Sequence, residues 1–74
     1  MHLSFTNHAK AGMYERSIDA SRVADTIRRP DFTRPAGDDA TAYYWTYGKQ
    51  ILRAVAVRRK KNEYVIITVY YLWK

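Results

Sequence analysis

Three stretches in the C-terminal half constrain this chain most. Ala40–Tyr47, Gln50–Val57 and Tyr64–Trp73 are dense in β-branched and aromatic residues and follow one another with only short interruptions. Such runs suit a pleated, half-buried surface, and Tyr47-Gly48-Lys49-Gln50 and Arg58–Glu63 supply the turns between them. They predict a three-strand antiparallel meander. With Gly48 first in a two-residue type II′ turn, Tyr47 pairs with Gln50, Trp45 with Leu52 and Tyr44 with Arg53. An even-numbered second loop then pairs Val57 with Tyr64, Arg53 with Thr68 and Leu52 with Val69.

Ahead of the meander, Leu3-Ser4-Phe5 is apolar at alternate positions and suits a first strand on one sheet edge. Thr6 or Asn7 offers an N-cap for a short helix over His8–Glu15, interrupted by Gly12. Arg16 to Asp19 reads as a turn. Asp19 then caps a second helix whose apolar stripe, Ala20, Val23, Ala24 and Ile27, follows the helical period. Arg22, Asp25 and Arg29 fall on its opposite face, solvated and partly paired, and Pro30 ends it. Residues 30–39 hold both prolines and three aspartates and read as a loop. The expectation is one α+β domain over residues 1–74, in the order β-α-α-β-β-β, with two helices packed on an antiparallel sheet of three to four strands.

The strand period of two divides the meander into faces. Tyr43, Trp45, Leu52, Ala54, Ala56, Val65, Ile67, Val69 and Tyr71 form the expected core face, meeting Met13, Val23 and Ile27. The other face carries Tyr44, Thr46, Arg53, Thr68 and Tyr70, bordered by Ile51, Val55, Tyr64 and Ile66. A guanidinium among hydroxyls and aromatic rings midway along a strand is what a phosphate-binding groove uses, since it forks a phosphate while rings stack on unpaired bases. A slip of one residue in register would instead bury Arg53.

Composition narrows the partners. With 74 residues and no cysteine, the chain builds a small core without disulfides, as in a reducing compartment. The N-terminus lacks the basic-then-apolar order of a signal peptide and no run is long enough to span a bilayer, so a cytoplasmic protein without membrane contact is expected. Residues 1–37 carry six Lys/Arg against four Asp/Glu, and residues 38–74 carry seven against three. The positive excess therefore sits on the sheet and its turns, and it points to a polyanion, RNA first. No metal or other cofactor is expected, because the two histidines stand apart and neither cysteine nor a carboxylate cluster joins them.

Several short motifs, in order, carry a family resemblance: Asn7-His8-Ala9, Glu15-Arg16-Ser17-Ile18, Ile27-Arg28-Arg29-Pro30, Leu52-Arg53-Ala54-Val55 and Val65-Ile66-Ile67-Thr68-Val69-Tyr70. From about Leu3 to Tyr71 the chain resembles an uncharacterised bacterial domain family within the superfamily of RelE, ParE and BrnT-like toxins. The resemblance implies two helices on a curved antiparallel sheet. It also implies messenger-RNA cleavage, free or on the ribosome, and a cognate antitoxin that blocks it. ParE-like relatives act on gyrase instead.

Metal-free RNA cleavage needs a proton acceptor for the 2′-hydroxyl, cations on the phosphorane and a proton donor for the leaving oxygen. Arg53 is the candidate for phosphate stabilisation, with Lys49 or Arg16 as helpers; its structural alternative is an ion pair with Asp38, Asp39 or Glu63. His8 is the candidate proton shuttle, or a ring bonded to a turn carbonyl or Glu15. Tyr70 orients the phosphate or stacks on a base, or else covers apolar surface. Tyr44, Lys49 and the run Arg58-Arg59-Lys60-Lys61 are candidate RNA contacts, the run equally reading as a solvated turn. Arg16 reads more readily as a tether of the helix–helix turn. A non-catalytic RNA- or protein-binding module is the alternative to a nuclease, and a free sheet edge would serve homodimer formation or antitoxin docking.

Overall fold

The computed structural model describes residues 1–73. The chain runs β1 (His2–Phe5), α1 (Asn7–Arg16), α2 (Ala20–Arg28), β2 (Phe32–Pro35), β3 (Ala40–Tyr47), β4 (Gln50–Lys60) and β5 (Glu63–Trp73). The strands form one five-stranded mixed sheet in the order β1-β5-β4-β3-β2, with β1 parallel to β5 and the other pairs antiparallel. The expected antiparallel sheet of three to four strands is thus corrected twice: by the parallel β1–β5 pair and by the additional strand β2, which makes the order β-α-α-β-β-β-β.

Proline chemistry explains why β2 was hidden. The Ala36 N–H donates to the Ala40 carbonyl at 3.0 Å, so by alternation the nitrogen of Pro35 faces away from β3, where no hydrogen bond is missed. Residues 30–39, expected as a loop, therefore supply an edge strand and the turn after it, in which Gly37 and Asp39 take positive φ values of 112° and 59°. The β3–β4 turn forms as expected: φ is positive at Gly48 but not at Lys49, and Tyr47 pairs with Gln50, Trp45 with Leu52 and Tyr44 with Arg53.

The β4–β5 register departs from expectation. It shifts once between Arg58 and Lys60 and again between Val55 and Ala56, where Ile67 is left as an extra residue between Thr68 (opposite Val55) and Ile66 (opposite Ala56). Val57 consequently pairs with Val65, Leu52 with Tyr71, and Arg53 with Tyr70 rather than Thr68. The bulge also exchanges faces along β5. Ile66 and Tyr64, expected on the outer face, join Val69 and Tyr71 against the helices, while Ile67 turns to the opposite side.

The main core lies between the helices and the sheet, built from Ala9, Ile18, Val23, Ile27, Leu52, Ala54, Ala56, Ile66 and Val69. Small residues let the helices approach. An added Cβ at Gly12 would stand 3.1 Å from the Val69 carbonyl oxygen, so α1 continues through the expected interruption because glycine there permits close packing on β5. Both helices are capped as their sequences predict, Thr6 accepting from the Ala9 N–H and Asp19 from the Arg22 N–H. The polar face of α2 is less simple than expected, since Asp25 pairs with Arg28 while Arg22 donates to the Tyr71 hydroxyl. A second cluster, Ala42, Tyr44 and Val55, is buried on the sheet face opposite the helices.

The Thr6 hydroxyl links the bulge to α1. It donates to the Ile67 carbonyl at 3.0 Å while accepting from the Ala9 N–H at 3.1 Å, and the Thr6 N–H reaches the Ile66 carbonyl at 3.0 Å. Thr6→Ala should destabilise the fold by about 1–2 kcal/mol through loss of the cap and the hydroxyl bond, with Thr6→Ser restoring most of it, as read by urea unfolding. Ile66→Ala should cost about 2–5 kcal/mol, the usual range for a fully buried isoleucine, and Val65→Ala under half of that. The reverse ranking in the same denaturation series would place the bulge elsewhere.

Candidate functional site

Four residues stand directly opposite one another across the sheet. Phe32 on β2 pairs with Tyr44 on β3, Tyr44 with Arg53 on β4, and Arg53 with Tyr70 on β5. Three inter-strand spacings make this row roughly 14 Å long. Beside it on the same face run Arg34–Ala42–Val55–Thr68 and Thr46–Ile51–Leu72. No carboxylate occupies any of these three rows, so the face combines aromatic and apolar surface with unopposed positive charge.

Arg53 is fixed from both sides. Its Nε donates to the Tyr44 hydroxyl at 2.9 Å and its Nη1 to the Tyr70 hydroxyl at 2.7 Å, with the guanidinium carbon 5.6 Å and 5.4 Å from the two ring centroids. Two of the five guanidinium N–H groups are thereby used, leaving three for a ligand. The hydrogen bond to Tyr44 is the largest cause of a pKa pushed up from its ordinary value, so the charge is held firmly. The described residues contain two ion pairs, Asp25–Arg28 and Lys60–Glu63, and Arg53 belongs to neither. Its expected structural alternative, pairing with Asp38, Asp39 or Glu63, is not what the fold builds.

Tyr70 joins the row to a cleft. A cavity of about 370 Å³ lies between α1 and the β5 edge, lined by His8, Gly12, Glu15, Arg16, Thr68 and Tyr70 among others. This is within the size range of small-ligand sites, about 300–1,000 Å³. The edge is open here because β1 pairs only with Glu63–Ile66 of β5. Successive turns of α1 carry His8, Gly12 and Glu15–Arg16 along the cleft. His8 is exposed and has no hydrogen-bond partner among the described residues, so its expected bond to a turn carbonyl or to Glu15 does not form. Arg16 donates to the Gly12 carbonyl at 3.2 Å, a tether inside α1 that still leaves it on the cleft wall.

The candidates thus divide. Arg53 and Tyr70 share the row, and Tyr70 also lines the cleft with His8, Glu15 and Arg16. Tyr44 is a support rather than a contact: it is 8% exposed, stacked by Phe32 and bonded to Arg53. Lys49 and the Arg58–Lys61 run stand at opposite ends of β4, whose 11 residues span roughly 33 Å, and do not form one patch. Within the run, Arg58 bonds to the Lys60 and Lys61 carbonyls and Lys60 pairs with Glu63 at 3.9 Å. Phe32 and Arg34 were missed because Pro30 and Pro35 bracket them; alternation over Phe32-Thr33-Arg34 was the available signal. The described residues contain no group of three or more potential metal ligands.

A family model described as a domain of unknown function, DUF4258, matches residues 5–71. No curated protein and no solved structure matches the chain.

Tyr44→Phe and Tyr70→Phe each remove one acceptor from Arg53 and should each cost about 0.5–1.5 kcal/mol. In an Arg53→Ala background both costs should fall toward zero. Undiminished costs in that double-mutant cycle, measured by denaturant unfolding, would show that the hydroxyls act through other partners.

Proposed function

The chain belongs to the DUF4258 domain family, and we propose that it is a toxin-like RNA-binding protein that cleaves messenger RNA without a metal. The observation that carries this reading is Arg53, held between two tyrosine hydroxyls in an acid-free aromatic row, one of whose members, Tyr70, also lines a cleft with His8, Glu15 and Arg16. A polyanion with unpaired bases suits that surface better than a neutral ligand, because guanidinium groups take phosphate oxygens and rings take bases. The formal net charge of +6 favours the same partner.

In the proposed reaction the 2′-oxygen attacks the adjacent phosphorus and gives up its proton to His8 or Glu15. The P–O5′ bond breaks, and the 5′-oxygen leaves with a proton from His8 or Tyr70, giving a 2′,3′-cyclic phosphate and a free 5′-hydroxyl. Arg16 and Arg53 stabilise the charge that gathers on the phosphorane. The RelE-like resemblance extends the proposal to a cytoplasmic setting, the ribosome as platform and an antitoxin that masks the row. No helix among the described residues is long and apolar enough to cross a membrane.

The alternative is a module that binds RNA without cutting it, and what favours it is that no hydrogen bond among the described residues orients the His8 ring. Incubation of the protein with messenger RNA, with and without translating ribosomes, and mapping of new 5′ ends by primer extension separates the two. Cuts should appear with the parent protein and fall at least about 100-fold in Arg53→Ala, in keeping with the loss of one preorganised donor to a developing anion. Binding without cuts under both conditions selects the module. Failure of both leaves gyrase supercoiling as the next assay.

A further inference from the structure

Phe32 holds the far end of the row at the sheet rim. One face of its ring stacks on Tyr44, with centroids 4.5 Å apart and planes 10° from parallel. The residue is nevertheless 40% exposed. Arg34, two residues on and on the same side of β2, holds its guanidinium over the Phe32 ring, its carbon 5.6 Å from the centroid. Asp31, the acid just before them, is exposed and accepts the Thr46 N–H. A rim with Pro35 and only four strand residues is poorly suited to pairing with another strand. It is well suited to a flat ring.

We propose that Phe32 and Arg34 form a nucleobase shelf. This rests on the RNA reading above and deepens it. An unpaired base of the strand whose phosphate lies on Arg53 stacks on Phe32 by displacing the Arg34 guanidinium that lies over the ring, and so extends the Tyr44–Phe32 stack. The Arg34 guanidinium covers that base or donates to acceptors on its edge. Two strand spacings, roughly 10 Å, separate the shelf from Arg53, so the base belongs to a nucleotide near the bound phosphate and not to a remote segment. A base inside a duplex already has both faces covered by its neighbours. The shelf therefore makes the protein selective for single-stranded RNA.

The test uses the full chain and a short single-stranded oligoribonucleotide carrying 2-aminopurine, moved one position at a time. At one position its fluorescence should be quenched on binding. Phe32→Ala should abolish that quenching and weaken affinity about 5- to 150-fold, the range for removing a stacking ring. Phe32→Leu keeps apolar cover over Tyr44 and should behave like Phe32→Ala, whereas Phe32→Tyr should behave like the parent. An abasic nucleotide at the quenched position should weaken the parent by a similar factor and leave Phe32→Leu unchanged. Equal affinity of parent and Phe32→Leu, or of single strand and duplex, overturns the shelf. If Arg53→Ala meanwhile loses binding, the RNA site stands and only the shelf falls; if the parent binds none of these oligonucleotides, both fall together.

Discussion

The extra residue at Ile67 governs how this protein presents its chemistry. A β-strand alternates its side chains strictly, so an extra residue reverses the facing of everything beyond it. Tyr64 and Ile66 meet the helices before it, and Val69 and Tyr71 after it. Together with the irregularity at Arg58–Lys60, the bulge moves Tyr70 opposite Arg53. Thr6 secures the arrangement by bonding the bulge carbonyl with the same hydroxyl that caps α1. The strand register, the helix start and the cleft beside Tyr70 are thus coupled through one side chain.

Two arginines are held by tyrosines in this small fold, one on each side of the sheet. Arg22 on α2 donates to the Tyr71 hydroxyl at 3.0 Å and lies 4.5 Å over the Tyr47 ring. The bond to Tyr71 is the main reason its pKa is pushed up. That contact joins helix to sheet and has a ready structural purpose. Arg53 has the same kind of partners on the opposite face, where three of its N–H groups have no acceptor among the described residues. Burial likewise pushes the Tyr43 hydroxyl up, on the helix side. The difference between a tie and a binding group lies in what is left unsatisfied, not in residue type.

Much of the architecture was legible in the chain because it rests on local rules. Asp19 and Thr6 are capping residues by chemistry, Gly48 supplies the one positive φ its hairpin needs, and the pairing of Tyr44 with Arg53 follows from that turn. Strand β2 was not legible, because two prolines signal a loop unless the direction of the missing N–H is known. The face of Ile66 was not legible either: a bulge adds no distinctive residue, and Val65-Ile66-Ile67 is apolar on both sides. Of the candidate site, Arg53, Tyr70 and His8 were named from residue type and position, yet the cleft that gathers His8, Arg16 and Tyr70 arises from packing of α1 along β5.

The sequence by itself determined a basic, cysteine-free α+β chain with capped helices, a C-terminal meander and an arginine among tyrosines on one strand. These depend on contacts between residues close in the chain, where propensity, capping and turn geometry act directly. Only the tertiary structure decided that Phe32, Tyr44, Arg53 and Tyr70 form a single row, that Tyr70 also lines the α1 cleft, and that Lys49 and the Arg58–Lys61 run lie apart from each other. Those relations join distant segments through register and edge order, and register is fixed by the sum of core packing, bulges and the Thr6 link across the whole sheet.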